Sequence, residues 1–251
     1  MAENAELAGR TAVVTGAGRN IGRAIALQLA AAGAAVLVNA RANREQAQAV
    51  VREIEQKGGR ALAHLADVAD AEAVQAMMTA AVARFGRIDI LVNNAALRRE
   101  QPLEQMSLGE WREILGVILD GAFLCVKAAL PLLRASGVGA IVNIGGLSAH
   151  TGARNRAHVV TAKAGLVGFT RALAHELAAD HVTVNCVAPG LIGTARAPGA
   201  PEPAHHQVHG TLAGNRGTPD DIAATVRFLC GPEARYITGQ TFHVNGGAFL
   251  G

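Results

Sequence analysis

A glycine-rich segment near the N-terminus carries the clearest chemical signal in the sequence. Residues 15–22 read Thr-Gly-Ala-Gly-Arg-Asn-Ile-Gly and join a short aliphatic run to a stretch with helical spacing. A glycine-rich turn that opens a helix presents backbone N–H groups to a diphosphate. The candidate binding residues of this turn are Gly16, Gly18, Arg19, Asn20, Ile21 and Gly22.

The elements that must position this turn alternate along the whole chain. The predicted strands cover residues 11–15, 35–39, 88–93, 140–144, 183–187 and 240–244, each a short aliphatic run. The predicted helices cover residues 21–32, 42–57, 71–85, 108–134, 160–180 and 219–229, where apolar residues recur with helical spacing. Strands that alternate with helices predict an α/β protein with a parallel sheet.

The composition predicts a globular chain with an aliphatic core. Half of the 251 residues are apolar and 3% are aromatic, so Ala, Val, Leu and Ile must fill the interior. A net charge of +3 without a long basic run argues against nucleic acid as a partner. The N-terminal residues do not resemble a signal peptide, and no uninterrupted apolar stretch reaches about 18 residues, so we expect no membrane association.

Three cysteines lie far apart in apolar stretches, as Cys125, Cys186 and Cys230. A disulfide framework or a zinc site uses paired or clustered cysteines instead. We therefore expect three buried thiols in a protein of the reducing cytoplasm.

Motifs along the whole chain resemble, in order, those of the classical short-chain dehydrogenase/reductase family. The glycine-rich turn resembles the family pattern T-G-x-x-x-G-x-G, with Asn20 where the middle glycine is usual. Asparagine is a non-glycine residue that tolerates positive φ. Further matches are Asp67-Val68, Asn93-Asn94-Ala95-Ala96, Pro189-Gly190, Tyr236-Ile237-Thr238-Gly239-Gln240 and Val244-Asn245-Gly246-Gly247. The resemblance implies one domain over residues 1–251, with a Rossmann-type doubly wound, mainly parallel sheet flanked by helices on both faces.

The resemblance also implies a nicotinamide dinucleotide cofactor and a homotetramer packed through helices 108–134 and 160–180 and the C-terminal segment. Residues 39–41, Asn-Ala-Arg, lack the carboxylate that would bond the ribose of NAD. Arg19 and Arg41 could instead flank a 2′-phosphate, so we expect NADP, with NAD as the alternative. The expected cofactor contacts are Gly16, Gly18, Arg19, Asn20, Ile21, Gly22, Arg41, Asp67, Val68, Asn94, Ala95, Lys163, Pro189, Gly190 and Ile192.

Four positions carry hydride and proton transfer in the family, and three of them have lost their polar group here. The lysine is retained as Lys163, within Thr-Ala-Lys-Ala-Gly. The tyrosine position is Val159, the serine position is Gly146 and the asparagine position is Ile118. Without a phenol to protonate the nascent alkoxide, the family mechanism should be close to abolished. Lys163 should keep its role in binding the nicotinamide ribose.

Other polar residues near these positions leave a remodelled site open. Ser148 lies two residues past the serine position, and His150, Arg154 and Arg156 belong to the same segment. His158 precedes the tyrosine position by one residue and should therefore point about 100° away around the helix.

Residues 192–217 form the least patterned part of the chain and are predicted to be a mobile loop beside the substrate. His205 and His209 have the spacing of metal ligands on one helix face, and His206 lies between them. No third ligand is evident, so we predict no metal site and leave contact with an acidic ligand open.

Two functions remain from the sequence. The first is a redox-defective protein that binds a dinucleotide and an unknown small molecule, or acts as the non-catalytic partner in an oligomer. The second is an atypical oxidoreductase or non-redox enzyme that uses His158 or Ser148.

Overall fold

The strands of the computed structural model form one parallel sheet. The structure describes residues 5–195 and 210–251. The strands are β1 Thr11–Val14, β2 Ala35–Ala40, β3 Arg60–Leu65, β4 Ile90–Asn93, β5 Ala140–Ile144, β6 Thr183–Pro189 and β7 Thr241–Val244. Within the described ranges they are ordered β3-β2-β1-β4-β5-β6-β7. The order reverses between β1 and β4, the switch point at which doubly wound sheets bind ligands.

Helices cover both faces of this sheet. They are α1 Asn20–Ala31, α2 Arg44–Gln56, α3 Ala71–Phe85, α4 Leu108–Leu115, α5 Gly121–Ser136, α6 Ser148–Thr151, α7 Ala157–Glu176 and α8 Pro219–Cys230. One apolar cluster packs α1, α2 and α8 against the sheet, and a second packs α3, α5 and α7 against the opposite face. Within β1, Val14 belongs to the first cluster and Val13 to the second, because successive side chains point to opposite faces. The predicted Rossmann-type α/β fold is confirmed.

Strand β3 is absent from the sequence-based prediction, which named six strands. Its residues, Arg-Ala-Leu-Ala-His-Leu, include two alanines and two polar side chains, which have weak β propensity. The strand lies at the edge of the sheet and pairs with β2 along six residues. Pairing with a formed neighbour therefore supplies what local propensity lacks.

The predicted single helix 108–134 is interrupted in the structure. A π-helical segment, Gly116–Asp120, joins α4 to α5, and Ile118 lies in it. The stretch Leu108–Ser136 is long and apolar enough to cross a membrane by length and composition, and its most apolar 18-residue window has a mean hydropathy of 1.9. Its buried side includes Cys125, Val126 and Ala129 of the second apolar cluster, so packing in the core accounts for this hydropathy.

All three cysteines are buried free thiols, as the sequence predicted. Burial raises the pKa of Cys125 to about 12 and, in the same way, that of Cys230. A thiol that stays protonated at neutral pH is a poor nucleophile. These two cysteines are therefore packing residues.

Candidate functional site

The turn between β1 and α1 is built so that only glycine fits at two of its positions. Gly16 has φ +60°, and a Cβ there would lie 3.0 Å from the Ala95 Cα. A Cβ on Gly22 would collide with the carbonyl oxygen of Gly16. The turn therefore packs directly against the segment that follows β4, and a side chain at either position would not fit.

Buried polar side chains hold this turn in place. The side-chain amide of Asn94 donates to the carbonyl oxygens of Thr15 and Gly16, at 2.9 and 3.0 Å. The hydroxyl of Thr15 accepts from the backbone N–H groups of Asn94 and Ala95. Asn39, at the end of β2, accepts from the N–H of Gly16 and donates to Ala66. Asn94 was among the predicted contacts, whereas Thr15 and Asn39 were missed; polar residues at the ends of aliphatic strands were the available signal.

Asn20 replaces the glycine usual in the family pattern and makes contacts that glycine cannot make. Its φ is +51°, within the left-handed region. Its side-chain Nδ2 donates to the carbonyl oxygen of Ala195 at 3.2 Å, and its Oδ1 accepts from the Ala195 N–H at 3.0 Å. Asn20 therefore ties the dinucleotide turn to the beginning of the predicted substrate loop.

The substitution Asn20→Gly should loosen this attachment. Each hydrogen bond contributes about 1 kcal/mol, so the Ala195 amide should exchange its hydrogen about tenfold faster. Amide hydrogen exchange at Ala195 measures this directly. Asn20→Asp is the matched control because it keeps the acceptor for the Ala195 N–H. Unchanged exchange in Asn20→Gly would show that the two bonds do not hold the segment.

A cleft of about 680 Å³ opens at the carboxyl ends of the strands, and most predicted site residues line it. The predicted residues in its wall are Gly16, Arg19, Asn20, Ile21, Gly22, Asn94, Ala95, Gly146, Val159, Lys163, Pro189, Gly190 and Ile192. The predicted residues outside its wall are Gly18, Arg41, Asp67, Val68 and Ile118. The structure therefore brings together the glycine-rich turn and three of the four positions that the family resemblance predicts to be catalytic, Gly146, Val159 and Lys163.

Three of the predicted site residues that do not line the cleft have contacts elsewhere in the structure. Arg41 lies close enough to Glu113 to help lower the pKa of that carboxyl, after the larger effect of Arg99. The carboxylate of Asp67 accepts from the N–H of Ala69 at 3.0 Å. Val68 lines a narrow void together with Ile118.

An apolar cluster contains two of the three positions that the family resemblance predicts to have lost a catalytic group. Val159 and Ile118 are each 2% exposed and belong to one cluster, whose other buried members are Ile114, Ala122, Ala162 and Leu166. Gly146 is different, because a Cβ built on it meets no described atom within 4 Å. Apolar side chains therefore fill the space at Val159 and Ile118, whereas the space beside Gly146 is open.

Lys163 is buried beside the open position. It is 6% exposed, and its Nζ donates to the carbonyl oxygen of Ile144. Burial, and next the positive charge of Arg98, lowers the pKa of Lys163 to about 7. A large share of this amine is therefore neutral at physiological pH, which the sequence did not indicate.

The two residues considered as substitutes for the lost acid lie in different places. His158 is fully buried, with Nε2 3.7 Å from Glu110 Oε1 and Nδ1 accepting from the Val159 N–H. It points to α4 and away from the cleft, as its helix position predicted. Ser148 lines the cleft.

His150, near the serine position, forms no hydrogen bond with Ser148 that the structure records among the described residues. The ring of His150 packs against His243, with centroids 4.4 Å apart. Burial is the main cause of the lowered pKa of both imidazoles. The predicted histidine group His205, His206 and His209 lies outside the described residues, as does the larger part of loop 192–217. Within the described part, Ile192 pairs with Gly217.

Three arginines in the cleft wall, Arg98, Arg99 and Arg156, were missed as contacts by the sequence analysis. Arg98 lies two residues after the Asn-Asn-Ala-Ala motif, and Arg156 is the N-cap of α7. Arg156 is 6% exposed, whereas Arg98 is open to the solvent of the cleft. The double arginine after a dinucleotide motif was the available signal for Arg98.

Sequence comparison relates the chain to bacterial reductases over its full length. A family profile described as enoyl-(acyl carrier protein) reductase matches residues 16–248. The 3-oxoacyl-(acyl-carrier-protein) reductase of Staphylococcus aureus is 43% identical over 242 residues, which cover 96% of this chain and 98% of that protein. The enzyme of the same name from Synechocystis is 43% identical over 246 residues, covering 97% and 98%.

Solved structures give the same relationship. A dehydrogenase/reductase from Sinorhizobium meliloti superposes with a TM-score of 0.91 at 37% identity, covering 100% of this chain and 99% of that one. A short-chain dehydrogenase from Burkholderia cenocepacia in complex with NADP gives 0.89 at 37% identity, covering 97% and 99%. The protein described here therefore belongs to the short-chain dehydrogenase/reductase family.

Proposed function

We propose that this chain binds NADP(H) in the cleft but is a redox-defective member of its family, acting as a ligand-binding protein or as the non-catalytic partner in an oligomer. One observation carries the proposal. The residues that would bind the dinucleotide are retained, while Gly146, Val159 and Ile118 offer no side-chain proton donor. The chain is therefore expected to bind the cofactor without carrying out the family's hydride-transfer reaction.

The cleft fits a dinucleotide phosphate at the beginning of α1. Gly16 and Gly22 line the cleft, and no described side chain caps the N-terminus of α1. The partial positive charge of a helix N-terminus favours a phosphate there, and Arg19 lines the cleft beside it. Lys163 would hold the nicotinamide ribose. When bound, NADPH supplies a hydride.

The missing step is protonation. Reduction of a carbonyl leaves an alkoxide that needs a proton and a donor to stabilise its charge. Val159 has no ionisable group, and Gly146 has no hydroxyl. The wall of the cleft holds no histidine, aspartate or tyrosine among the described residues. Ser148 would need a base to act, and Glu100 is the sole carboxylate among the described wall residues.

Residual reductase activity is the second candidate function, and the pKa of Lys163 favours it. An ammonium group with a pKa of about 7 is suited to give up a proton at neutral pH. The relatives at 43% identity are named as reductases of 3-oxoacyl groups. A slow reduction abolished by Lys163→Met, with NADPH still bound, would establish this function.

Two measurements on the purified protein test the proposal. Fluorescence titration with NADPH should show saturable binding, and NADPH oxidation with a 3-oxoacyl thioester should stay at the level without enzyme. Absence of binding would contradict the proposed cofactor. Turnover at an ordinary reductase rate of about 10 per second would contradict the redox defect.

Arg19 should decide the preference for NADP over NAD. The substitution Arg19→Gln removes a charge-assisted contact worth about 1.5–3 kcal/mol, so NADPH binding should weaken by at least about tenfold. NADH binding should change little, because NADH lacks the 2′-phosphate. Parallel titrations with both dinucleotides make the comparison, and Arg41→Gln repeats it for the second arginine. Equal NADH and NADPH affinities in the unmodified chain would disprove the preference.

We also propose a homotetramer in the cytoplasm. Exposed apolar side chains on the relevant surfaces support assembly, with Leu108 60% exposed, Phe123 48% exposed and Leu250 77% exposed. Phe123 lies on α5, one of the helices expected to pack between subunits, and Leu250 lies in the C-terminal segment. Light scattering coupled to size-exclusion chromatography measures the mass directly.

A further inference from the structure

The amine of Lys163 lies in the wall of the cleft without an acidic partner. Its side chain is 6% exposed, and Nζ donates a hydrogen bond to the carbonyl oxygen of Ile144. Among the described residues, no carboxylate pairs with this amine or acts on its pKa. An ammonium group has three N–H donors, and its charge needs a partner when it is buried. The surroundings therefore favour the neutral amine, whose nitrogen keeps a lone pair of electrons.

The groups that act on Lys163 also favour the neutral form. After burial, the charge of Arg98 makes the largest contribution to the lowered pKa of Lys163, and Arg156 acts in the same direction. Cys186 acts in the opposite direction, but burial raises the pKa of this thiol to about 11, so it is uncharged at neutral pH. The pKa of Lys163 is lowered to about 7. About half of the amine is then neutral at pH 7, against about one molecule in 3,000 for an ordinary lysine.

The cleft beside this amine is open on one side and apolar on another. Ile144, Gly146 and Val159 line the cleft together with Lys163. A Cβ on Gly146 would meet no described atom within 4 Å. Val159 lies one turn before Lys163 on α7, and its side chain has no group that could form a hydrogen bond with the amine. A small apolar molecule could therefore approach the nitrogen from the cleft.

We propose that Lys163 forms a reversible imine with a small aliphatic aldehyde or ketone bound in this cleft. The nitrogen attacks the carbonyl carbon, a C–N bond forms, and the carbonyl oxygen takes one proton from the nitrogen. The C–O bond then breaks, and the oxygen leaves as water with the second proton of the amine. The step involves no net oxidation or reduction, and water reverses it. Desolvated lysine amines form such adducts with carbonyl compounds.

This activity goes beyond the proposed function, because it needs the free amine and no bound dinucleotide. It gives Lys163 a reaction that does not depend on a proton donor at position 159. Imine formation and binding of the nicotinamide ribose would use the same Nζ atom. The two should therefore exclude each other.

Reductive trapping tests the inference, and the small number of lysines makes the result easy to assign. The chain has three lysines, and the other two, Lys57 and Lys127, are exposed. The free protein is incubated at pH 7 with pentanal and sodium cyanoborohydride, which reduces an imine to a stable secondary amine. Peptide mass spectrometry then measures the labelling of each lysine. We expect Lys163 to be labelled at least about tenfold faster than Lys57, because a far larger share of its amine is neutral. Labelling of Lys163 no faster than that of Lys57 would overturn the inference.

Two variants of Gly146 test whether the carbonyl compound reaches the amine from the cleft. Gly146→Leu should fill the open space and slow the labelling of Lys163 at least about tenfold, since a small displacement of the reacting atoms has a large effect on rate. Gly146→Ala is the matched control, because its methyl group meets open space. Equal labelling of Lys163 in the two variants would overturn the inference of a ligand in the cleft. If Gly146→Leu fails to fold, the ratio of Lys163 to Lys57 in the unmodified chain still decides.

Saturation with NADP separates this inference from the proposed function. NADP should protect Lys163 from labelling, because the nicotinamide ribose would occupy the amine, and the labelling of Lys57 should stay unchanged. Absence of protection would contradict the ribose contact of the proposed function, and selective labelling of the free protein would still support the imine. Absence of selective labelling in the free protein would overturn the imine alone.

Discussion

Restoring the three lost polar groups together, as Gly146→Ser, Val159→Tyr and Ile118→Asn, should produce NADPH-dependent reduction of a 3-oxoacyl thioester at least about 10³-fold faster than in the unmodified chain. A general acid typically contributes about 10²–10⁴ in rate, and a hydrogen-bond donor to the developing oxyanion about 10²–10³. These groups act as a unit, so each single substitution should recover little. Steady-state NADPH oxidation measures the gain.

The structure can accommodate the three changes to different degrees. A serine at Gly146 meets open space. A tyrosine at Val159 extends from α7 into a cleft that is wide enough for a ring. The change Ile118→Asn places an amide in an apolar cluster, which should lower the free energy of unfolding by about 3 kcal/mol.

A buried acceptor offsets part of that cost at Ile118. Asn93 Oδ1 has no hydrogen-bond partner among the described residues, and Asn93 lines the same narrow void as Ile118. The amide of an asparagine at position 118 could donate to it. We therefore expect Ile118→Asn to destabilise the chain less than Ile114→Asn in the same cluster, as measured by denaturant unfolding.

The control variant keeps the aromatic ring at position 159 and removes the hydroxyl group that would donate the proton. The triple variant with Val159→Phe in place of Val159→Tyr fills the same space without a hydroxyl group. Equal rates in the two triple variants would show that packing, and not proton transfer, was restored. A folded triple variant that binds NADPH but gains no activity would show that the scaffold has diverged beyond these three positions.

Periodicity and motif order predicted the fold because they depend on local rules. Short aliphatic runs between amphipathic stretches identify buried parallel strands, and β1 and β6 followed that rule. Strand β3 did not, because an edge strand rich in alanine owes its conformation to pairing with β2. The π-helical segment at Gly116–Asp120 was also missed, since helical spacing does not distinguish a π turn from an α turn.

The sequence predicted several of the residues that line the cleft, but it did not predict which side chains pack around those residues. Motif spacing identified Lys163 and Val159, and both line the wall. Val159 and Ile118 belong to one cluster because of the way α4, α5 and α7 pack together. The spacing of motifs along the chain carries no information on that packing. For the same reason, the closeness of Arg98 to Lys163 could not be predicted, because they lie on different elements.

Burial of Lys163 should make the stability of the chain depend on pH, with an effect of a few kcal/mol. The pKa of Lys163 is lowered from 10.5 to about 7, chiefly by burial. In the unfolded chain the amine regains its ordinary pKa, so between about pH 7 and 10.5 the unfolded state binds more protons than the folded state. The free energy of unfolding should therefore rise with pH across this window. Below about pH 7 both states are protonated, and the full penalty for burying the charge applies.

The substitution Lys163→Met isolates this contribution from the other groups that titrate. The variant should be more stable than the unmodified chain at pH 6.5, and its advantage should shrink by a few kcal/mol at pH 9.5, since each pKa unit corresponds to about 1.4 kcal/mol. Urea unfolding at the two pH values measures the difference. Lys57→Met is the matched control, because Lys57 is an exposed lysine at the end of α2, away from the surfaces proposed to pack between subunits. If the advantage of Lys163→Met is the same at both pH values, Lys163 is an ordinary charged lysine, and the reductase role that depends on its lowered pKa loses its basis.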